Sequence, residues 1–548
     1  MRSRRTTPHT VRRSLPLAVA AACLALSACT PGMMAGHSTQ ATPVEAASAA
    51  PVPAGLETFY TQKVDWKDCE DGKSFKCATV KVPLDYKDPS GQSIDLALKK
   101  LPASSGKPIA SLMINPGGPG GSGIELVEGG EAAFSGDLRA NFDIIGFDPR
   151  GVGASTPLTC LSAEEISQAV EAVAAGGDAQ AAVGDDAEAS QEDTAKASVE
   201  AGREAATTCE QNSPVPGIID HMDTDSVARD LDVLRALAGD ERLYYFGTSY
   251  GTFLGTRYAE LFPANVGRMV LDSAQDPSIG LAQVGRDQSV AIENSFRSYV
   301  ETCQSGKDCP LDGDVEAGMA QLRALFEKAT KSPLPTDQDG KTVNGETIRQ
   351  TMTELMYDDG TWESLTSALK QAIKDGKGTE LAALAEKPSD ETDPKAAAEA
   401  EVRKLANQPA ISAVDCLDYP VEGDEAQWDK EAAELRKETP TAGGAQALTP
   451  GLCKGWGRQS ERTPAKASAP GAAPILILGI TGDPATPYQW AESLASQLES
   501  GHLVTVKGNG HGAYIRTGEC ATSAVDAYLL RGELPEKGLT CEAEIAQK

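Results

Sequence analysis

Six short strand-like runs, at residues 110–114, 142–147, 243–246, 268–271, 475–480 and 503–506, are separated by amphipathic helical stretches. The run at 475–480 is apolar throughout, which predicts a strand buried on both faces of a parallel sheet. Residues 225–238 place Val227, Leu231, Leu234 and Ala238 on one face at helical spacing, the pattern of a helix packed on such a sheet. Their alternation predicts an α/β fold: a mostly parallel sheet with flanking helices. Two stretches interrupt it. Residues 161–212 are rich in Ala, Glu, Asp and Gln, helical in bias, and bracketed by Cys160 and Cys209. Residues 276–410 carry helical patterns at 315–330, 345–357 and 362–373 with no clear buried strand.

Open α/β sheets bind ligands at the carboxyl ends of their strands, so the chemistry is sought there. Gly247-Thr-Ser-Tyr-Gly251 follows the run 243–246 and precedes the helical stretch 252–261. In a chain with 53 glycines the pentapeptide alone says little. Between strand and helix it has a mechanism: the glycines permit a turn that raises the Ser249 hydroxyl beside backbone N–H groups. Ser249 is therefore the candidate nucleophile. A general base is found by elimination among five histidines. His9 and His37 lie in the N-terminal 55 residues, His221 precedes the nucleophile, and His502 opens the run 503–506. His511 lies just past that run in Gly508-Asn-Gly-His-Gly512, a loop able to carry an imidazole over the sheet top. The acid belongs between serine and histidine in α/β-hydrolase order. Asp483 ends the run 475–480 and is followed by a helix with Trp490, Leu494 and Leu498 at four-residue spacing. An Asp-Pro there is otherwise a turn or a helix cap.

In this arrangement His511 takes the Ser249 proton, Asp483 fixes the tautomer, and preorganised N–H groups hold the oxyanion. Tyr250 supplies one N–H by position. The loop Asn115-Pro-Gly-Gly-Pro-Gly-Gly121, after the run 110–114, supplies the second. It lacks the Gly-Lys-Ser/Thr ending of a phosphate-binding loop.

Five motifs in order, Asn115-Pro-Gly-Gly-Pro-Gly, Asp148-Pro-Arg-Gly-Val-Gly-Ala-Ser155, Gly247-Thr-Ser-Tyr-Gly251, Asp483-Pro-Ala-Thr-Pro487 and Gly508-Asn-Gly-His511, resemble the series of the prolyl-iminopeptidase-like α/β-hydrolases. Within that group the chain is most similar to secreted tripeptidyl aminopeptidases and envelope lipoprotein hydrolases of actinobacteria, over residues 56–541. The resemblance implies a serine peptidase that removes tripeptides or other short peptides from free N-termini, with Gly117 or Gly118 joining Tyr250 in the oxyanion hole. A carboxylesterase with the same triad is the alternative, and a catalytically silent binding lipoprotein a further one. Acyl transfer by a triad requires no metal or organic cofactor.

Residues 276–410, lying between nucleophile and acid, must leave the sheet top and return to it, and so are read as a helical cap that admits a chain end. The resulting division is an export signal (1–28), a lipid-anchored tether (29–55), a first core part (56–275, with 161–212 inserted), the cap (276–410) and a C-terminal core part carrying Asp483 and His511 (411–548). A peptide ammonium needs a carboxylate to receive it. Asp276, Glu293, Glu354, Asp358, Asp359 and Asp418 are candidates, none preferred.

Composition narrows the setting. The formal charge is −29, and residues 1–28, with five arginines and no acid, mask part of the acidity of the rest. Such a surface excludes nucleic acid as a partner. The apolar stretch 15–28 is too short to span a bilayer and reads as an export signal. Leu26-Ser-Ala-Cys29 resembles a lipobox, making Cys29 the acylated first residue, so contact with the membrane is expected through this anchor alone. A monomer is expected. Removing Cys23 with the signal and Cys29 to lipid leaves ten of twelve cysteines. An even number in an exported chain predicts disulfides. Sequence proximity pairs Cys69 with Cys77, Cys160 with Cys209, Cys303 with Cys309, Cys416 with Cys453 and Cys520 with Cys541. Zinc is disfavoured, because no C-x-x-C pair occurs.

Overall fold

The computed structural model describes residues 51–70, 74–175, 194–338, 340–385, 394–406, 408–514 and 516–543. The expected signal, Cys29, residues 29–50 of the tether and residues 176–193 of the first insertion lie outside them.

Among the described residues twelve strands occur: β1 (Lys67–Asp68), β2 (Lys76–Pro83), β3 (Ser93–Leu101), β4 (Ala110–Asn115), β5 (Phe142–Phe147), β6 (Leu243–Thr248), β7 (Val266–Asp272), β8 (Leu334–Pro335), β9 (Thr342–Val343), β10 (Ile475–Gly482), β11 (Gly501–Asn509) and β12 (Thr540–Glu542). Ten form one sheet in the order β1-β2-β3-β5-β4-β6-β7-β10-β11-β12, while β8 and β9 pair only with each other. From β5 through β12 every pairing is parallel, and the first three strands join antiparallel at one side. The fold is thus the α/β arrangement read from the alternation of runs and helices.

Alternate side chains of the central strands feed two cores. Met113, Ile145, Tyr245, Met269 and Ile477 enter one, and Leu112, Ile114, Tyr244, Phe246 and Leu478 the other. Helix Thr224–Ala238 packs in the first through Val227, Leu231 and Leu234. It begins where Asp223 accepts the Ser226 N–H and ends at left-handed Gly239.

Between β7 and β10 the regular elements of the described residues are helices, apart from the β8–β9 pair. Helices Leu281–Ser305, Val315–Lys331, Gly345–Leu355 and Trp362–Lys374 share a core of their own. Helical structure then continues past residue 410. Helices Pro409–Asp418 and Thr449–Trp456 pack onto the sheet-side core through Ala413, Val414, Cys416, Cys453 and Trp456. Helix Ala195–Asn212 lies against Thr449–Trp456 so closely that a methyl group at Gly202 would fall 2.1 Å from the Leu452 carbonyl oxygen. The insertion that supplies it therefore packs back onto the chain. All five expected disulfides are present: Cys69–Cys77, Cys160–Cys209, Cys303–Cys309, Cys416–Cys453 and Cys520–Cys541.

Candidate functional site

Five neighbouring strands, β4, β6, β7, β10 and β11, deliver their carboxyl ends to one edge of the sheet. Ser249, one residue beyond β6, has φ 59° and ψ −126°, outside the conformations ordinary L-residues prefer. Such a backbone costs on the order of 1–3 kcal/mol. Its surroundings hold it there. The Ser249 N–H donates to the Asp272 carbonyl at 3.0 Å, and the Ser249 carbonyl accepts from the Thr252 N–H at 2.8 Å. Gly247 and Gly251 make the turn possible: a methyl group on Gly247 would lie 2.4 Å from the Gly251 carbonyl oxygen. The turn opens helix Tyr250–Leu261, so the N–H of Tyr250 lies at a helix N-terminus, where partial positive charge collects.

Asp483 follows β10 and is buried. Its Oδ1 accepts the N–H groups of Ala485 (2.9 Å) and Thr486 (2.8 Å), and its Oδ2 accepts the Thr486 hydroxyl (3.1 Å). His511 Nδ1 lies 2.9 Å from Oδ1 and 3.0 Å from Oδ2. Engaged at Nδ1, the imidazole has Nε2 directed away from the acid. Burial alone would depress its pKa, but the Asp483 carboxylate, with a smaller contribution from Asp272, outweighs that and raises it above the ordinary histidine value. His502 is not part of this arrangement; its Nε2 meets the Pro535 carbonyl oxygen.

The glycine loop after β4 reaches Ser249. A methyl group at Gly117 would lie 2.6 Å from the Thr248 carbonyl oxygen, 2.8 Å from the Ser249 Cβ and 3.0 Å from the Tyr250 nitrogen. Gly117 and Gly118, considered together as oxyanion donors, differ in availability. The Gly117 N–H already donates to Asn115 Oδ1 at 3.0 Å, a local Asx-type turn that removes it as a donor. Among the described residues no hydrogen bond engages the N–H of Gly118 or Tyr250.

The long helical excursion comes down on the histidine loop. The carbonyl of Tyr357 accepts the His511 N–H at 3.0 Å, and its ring stands edge-on to the imidazole with centroids 5.2 Å apart. Arg516 donates to the Tyr357 carbonyl and, at 3.0 Å, to both the His511 carbonyl and Asp358 Oδ1. Of the six acids considered for a peptide ammonium, Asp276 is engaged by Ser278 and Gln497, Glu293 by Thr441 and Ala442, and Asp418 by Thr224. Asp358 is held by Arg516, and Glu354 and Asp359 flank Tyr357 in the chain. Sequence reasoning did not single out Asp272, Ser273, Thr486, Tyr357 or Arg516. Thr486 alone had a nearby signal, three residues beyond Asp483 in the side-chain-to-backbone spacing of an Asx turn.

A family model described as TAP-like protein matches residues 439–541. The chain is 30% identical over 498 residues to serine protease Hip1 of Mycobacterium tuberculosis (strain H37Rv), covering 88% of this chain and 91% of that one. The chain belongs to the tripeptidyl aminopeptidase-like family of α/β-hydrolases. It is 30% identical over 492 residues to tripeptidyl aminopeptidase of Streptomyces lividans (87% and 86% covered), and 32% identical over 497 residues to carboxylesterase B of M. tuberculosis (90% and 91% covered). As a member of this serine hydrolase family, the protein uses the remaining motif, Asp148 to Ser155, as framework. Arg150 is buried against Asp230 with two bonds of 2.7 and 2.8 Å and caps the Leu84 carbonyl at 2.8 Å. Asp148 Oδ2 takes the Ala154 N–H at 2.8 Å, and the backbone there passes so close that a methyl group on Gly153 would fall 2.2 Å from that oxygen. The five disulfides suit an oxidising, extracytoplasmic setting.

Proposed function

We propose that the protein is an exported serine peptidase that releases tripeptides or other short peptides from free N-termini, with Ser249 as nucleophile, His511 as general base and Asp483 as the acid orienting it. The observation that carries this reading is the bond from Asp483 to His511 Nδ1, made at the carboxyl ends of adjacent strands beside the positive-φ turn at Ser249. Nε2 then accepts the Oγ proton as Oγ attacks the carbonyl carbon, and returns it to the leaving amine. The N–H groups of Tyr250 and Gly118 receive the oxyanion; Gly117, whose N–H is occupied, serves by letting the loop lie flat against Ser249. In support of a free N-terminus, Asp359 lies two residues beyond Tyr357, whose carbonyl accepts the His511 N–H, and a carboxylate there can pair with an ammonium.

The 32% identity to a carboxylesterase favours ester hydrolysis by the same residues as the second reading. One experiment separates the two. Tripeptidyl, single-aminoacyl and N-acetylated peptide reporters are compared with short-chain esters, with Ser249→Ala as control. Preferential cleavage of unblocked tripeptidyl reporters is expected. Equal cleavage of blocked and free peptides would refute the aminopeptidase reading, and full turnover by Ser249→Ala would refute the site. The mature chain is further proposed to be a monomer held to the outer face of the cell membrane through acylated Cys29. Loss of labelled-lipid incorporation in Cys29→Ala is the expected result.

A further inference from the structure

Asp272, the last residue of β7, is 1% exposed and is bonded to both halves of the site. Its backbone carbonyl accepts the Ser249 N–H at 3.0 Å. Its carboxylate accepts the Ala513 N–H through Oδ1 at 2.8 Å and the Tyr514 N–H through Oδ2 at 2.9 Å, both in the loop that carries His511. The next residue, Ser273, adopts φ 55° and turns its Oγ to the Gly512 N–H at 2.9 Å. Three consecutive N–H groups just beyond His511 are thus held by two residues at the end of one strand. That same strand end also holds the N–H of the nucleophile.

We propose that Asp272 is a positioning residue for the hydrolytic reaction: it references the nucleophile turn and the histidine loop to a single strand end, and its buried charge supports the imidazolium formed in the transition state. The proposal rests on the assignment of Ser249 and His511 made above. A buried carboxylate is costly to maintain unless compensated. Here burial pushes the carboxyl pKa up, while the two N–H bonds and the imidazole oppose that rise. The carboxylate offers two acceptors to the loop and a charge felt by the imidazole. The groups facing the imidazole are Asp483 from the loop after β10, Asp272 from β7, Arg516 from its own loop, and Thr486 and Tyr357, which are neutral in the working range.

The test is Asp272→Asn, which keeps shape and one acceptor, removes the charge, and sets an NH₂ group against one of the two N–H donors. With activity expressed per folded enzyme, judged by near-UV circular dichroism and gel filtration, kcat should fall about a hundredfold, the effect of a small displacement of reacting groups. KM should stay within about twofold, since no substrate contact is lost. The acid limb of kcat/KM should move to lower pH, because the imidazolium loses a supporting charge. Unchanged kcat or an unmoved acid limb overturns the proposal; a purely structural residue would alter melting and yield without moving that limb. If Asp272→Asn does not fold, Ser273→Ala, which removes only the Gly512 acceptor, should lower kcat with the acid limb in place, and unaltered kcat would overturn loop anchoring. Ser249→Ala run in parallel separates the two failures. Activity surviving in Ser249→Ala defeats the site assignment, whereas an inert Ser249→Ala beside a fully active Asp272→Asn defeats only the role of Asp272.

Discussion

Replacing Asp483 by Asn tests the acid–base pair with almost no change of volume, and the surrounding donors dictate how the amide must sit. Oδ1 receives two backbone N–H groups, from Ala485 and Thr486, neither of which can rotate. The single carbonyl oxygen of Asn must therefore take the Oδ1 position. Its NH₂ then occupies the Oδ2 position, 3.0 Å from His511 Nδ1 and 3.1 Å from the Thr486 hydroxyl, which can turn to accept. Facing a donor, Nδ1 becomes an acceptor, and the imidazole proton moves to Nε2, the nitrogen that must be free to deprotonate Ser249. The enzyme is left intact in shape with the wrong tautomer. Losing a correctly oriented base in this way lowers kcat about 10⁴-fold, or about 5 kcal/mol of transition-state stabilisation. KM, which depends on contacts elsewhere, should change little. The assay is steady-state hydrolysis of an unblocked tripeptidyl reporter near neutral pH, with melting temperature measured in parallel. A variant that melts normally and retains kcat within about tenfold of the parent would show that Asp483 does not orient the base.

Gly117→Ala should also be damaging, for a steric reason: its methyl group would meet Thr248, Ser249 and Tyr250 at 2.6–3.0 Å from a backbone at φ 98°. A kcat loss of roughly a hundredfold or more, the value of one oxyanion donor, is expected in reporter assays. The acid limb of the kcat/KM profile should lie above the free-imidazole value of about 6.5, because His511 must be neutral to act and its pKa is raised; an inflection below it contradicts the assigned partners. Removing the Cys160–Cys209 bridge, which spans 49 residues, should cost about 4 kcal/mol of stability by chain entropy, read from denaturant unfolding of the double alanine variant.

Ser249, Asp483 and His511, the proposed triad, stand out in the sequence because each follows an apolar run whose periodicity is local. The strand β10 is buried at Ile475 through Ile480, and six apolar residues in a row announce it. The antiparallel strands β2 and β3 lie outside that signal. In β3, Ile94, Leu96 and Leu98 alternate with Asp95, Ala97 and Lys99, a period-2 pattern that uniform apolar runs do not resemble. Asp272 was hidden for another reason. Its partners Ala513 and Tyr514 are backbone groups 241 and 242 residues away, and a backbone N–H carries no residue identity. The same holds at Gly117, where the decisive contact is the Asn115 side chain folding onto the next turn. The helical pattern 345–357 ends in the structure at Leu355, and Tyr357, freed from the helix, turns its carbonyl to His511.

That last contact bears on what the helical excursion does. His511 is held from the sheet side through the N–H groups of residues 512–514, and from the opposite side through its own N–H to Tyr357. A roof that only filtered substrates would touch the substrate and leave the base alone. Here residues 357 and 358 touch the base's backbone directly and through Arg516, whose guanidinium bridges the Tyr357 carbonyl, the His511 carbonyl and Asp358. The helical excursion therefore bears on the placement of His511 itself. With His511 as the proposed base, a substitution that displaces residues 357 and 358 removes one of the two backbone supports of that loop and should lower kcat rather than raise KM alone.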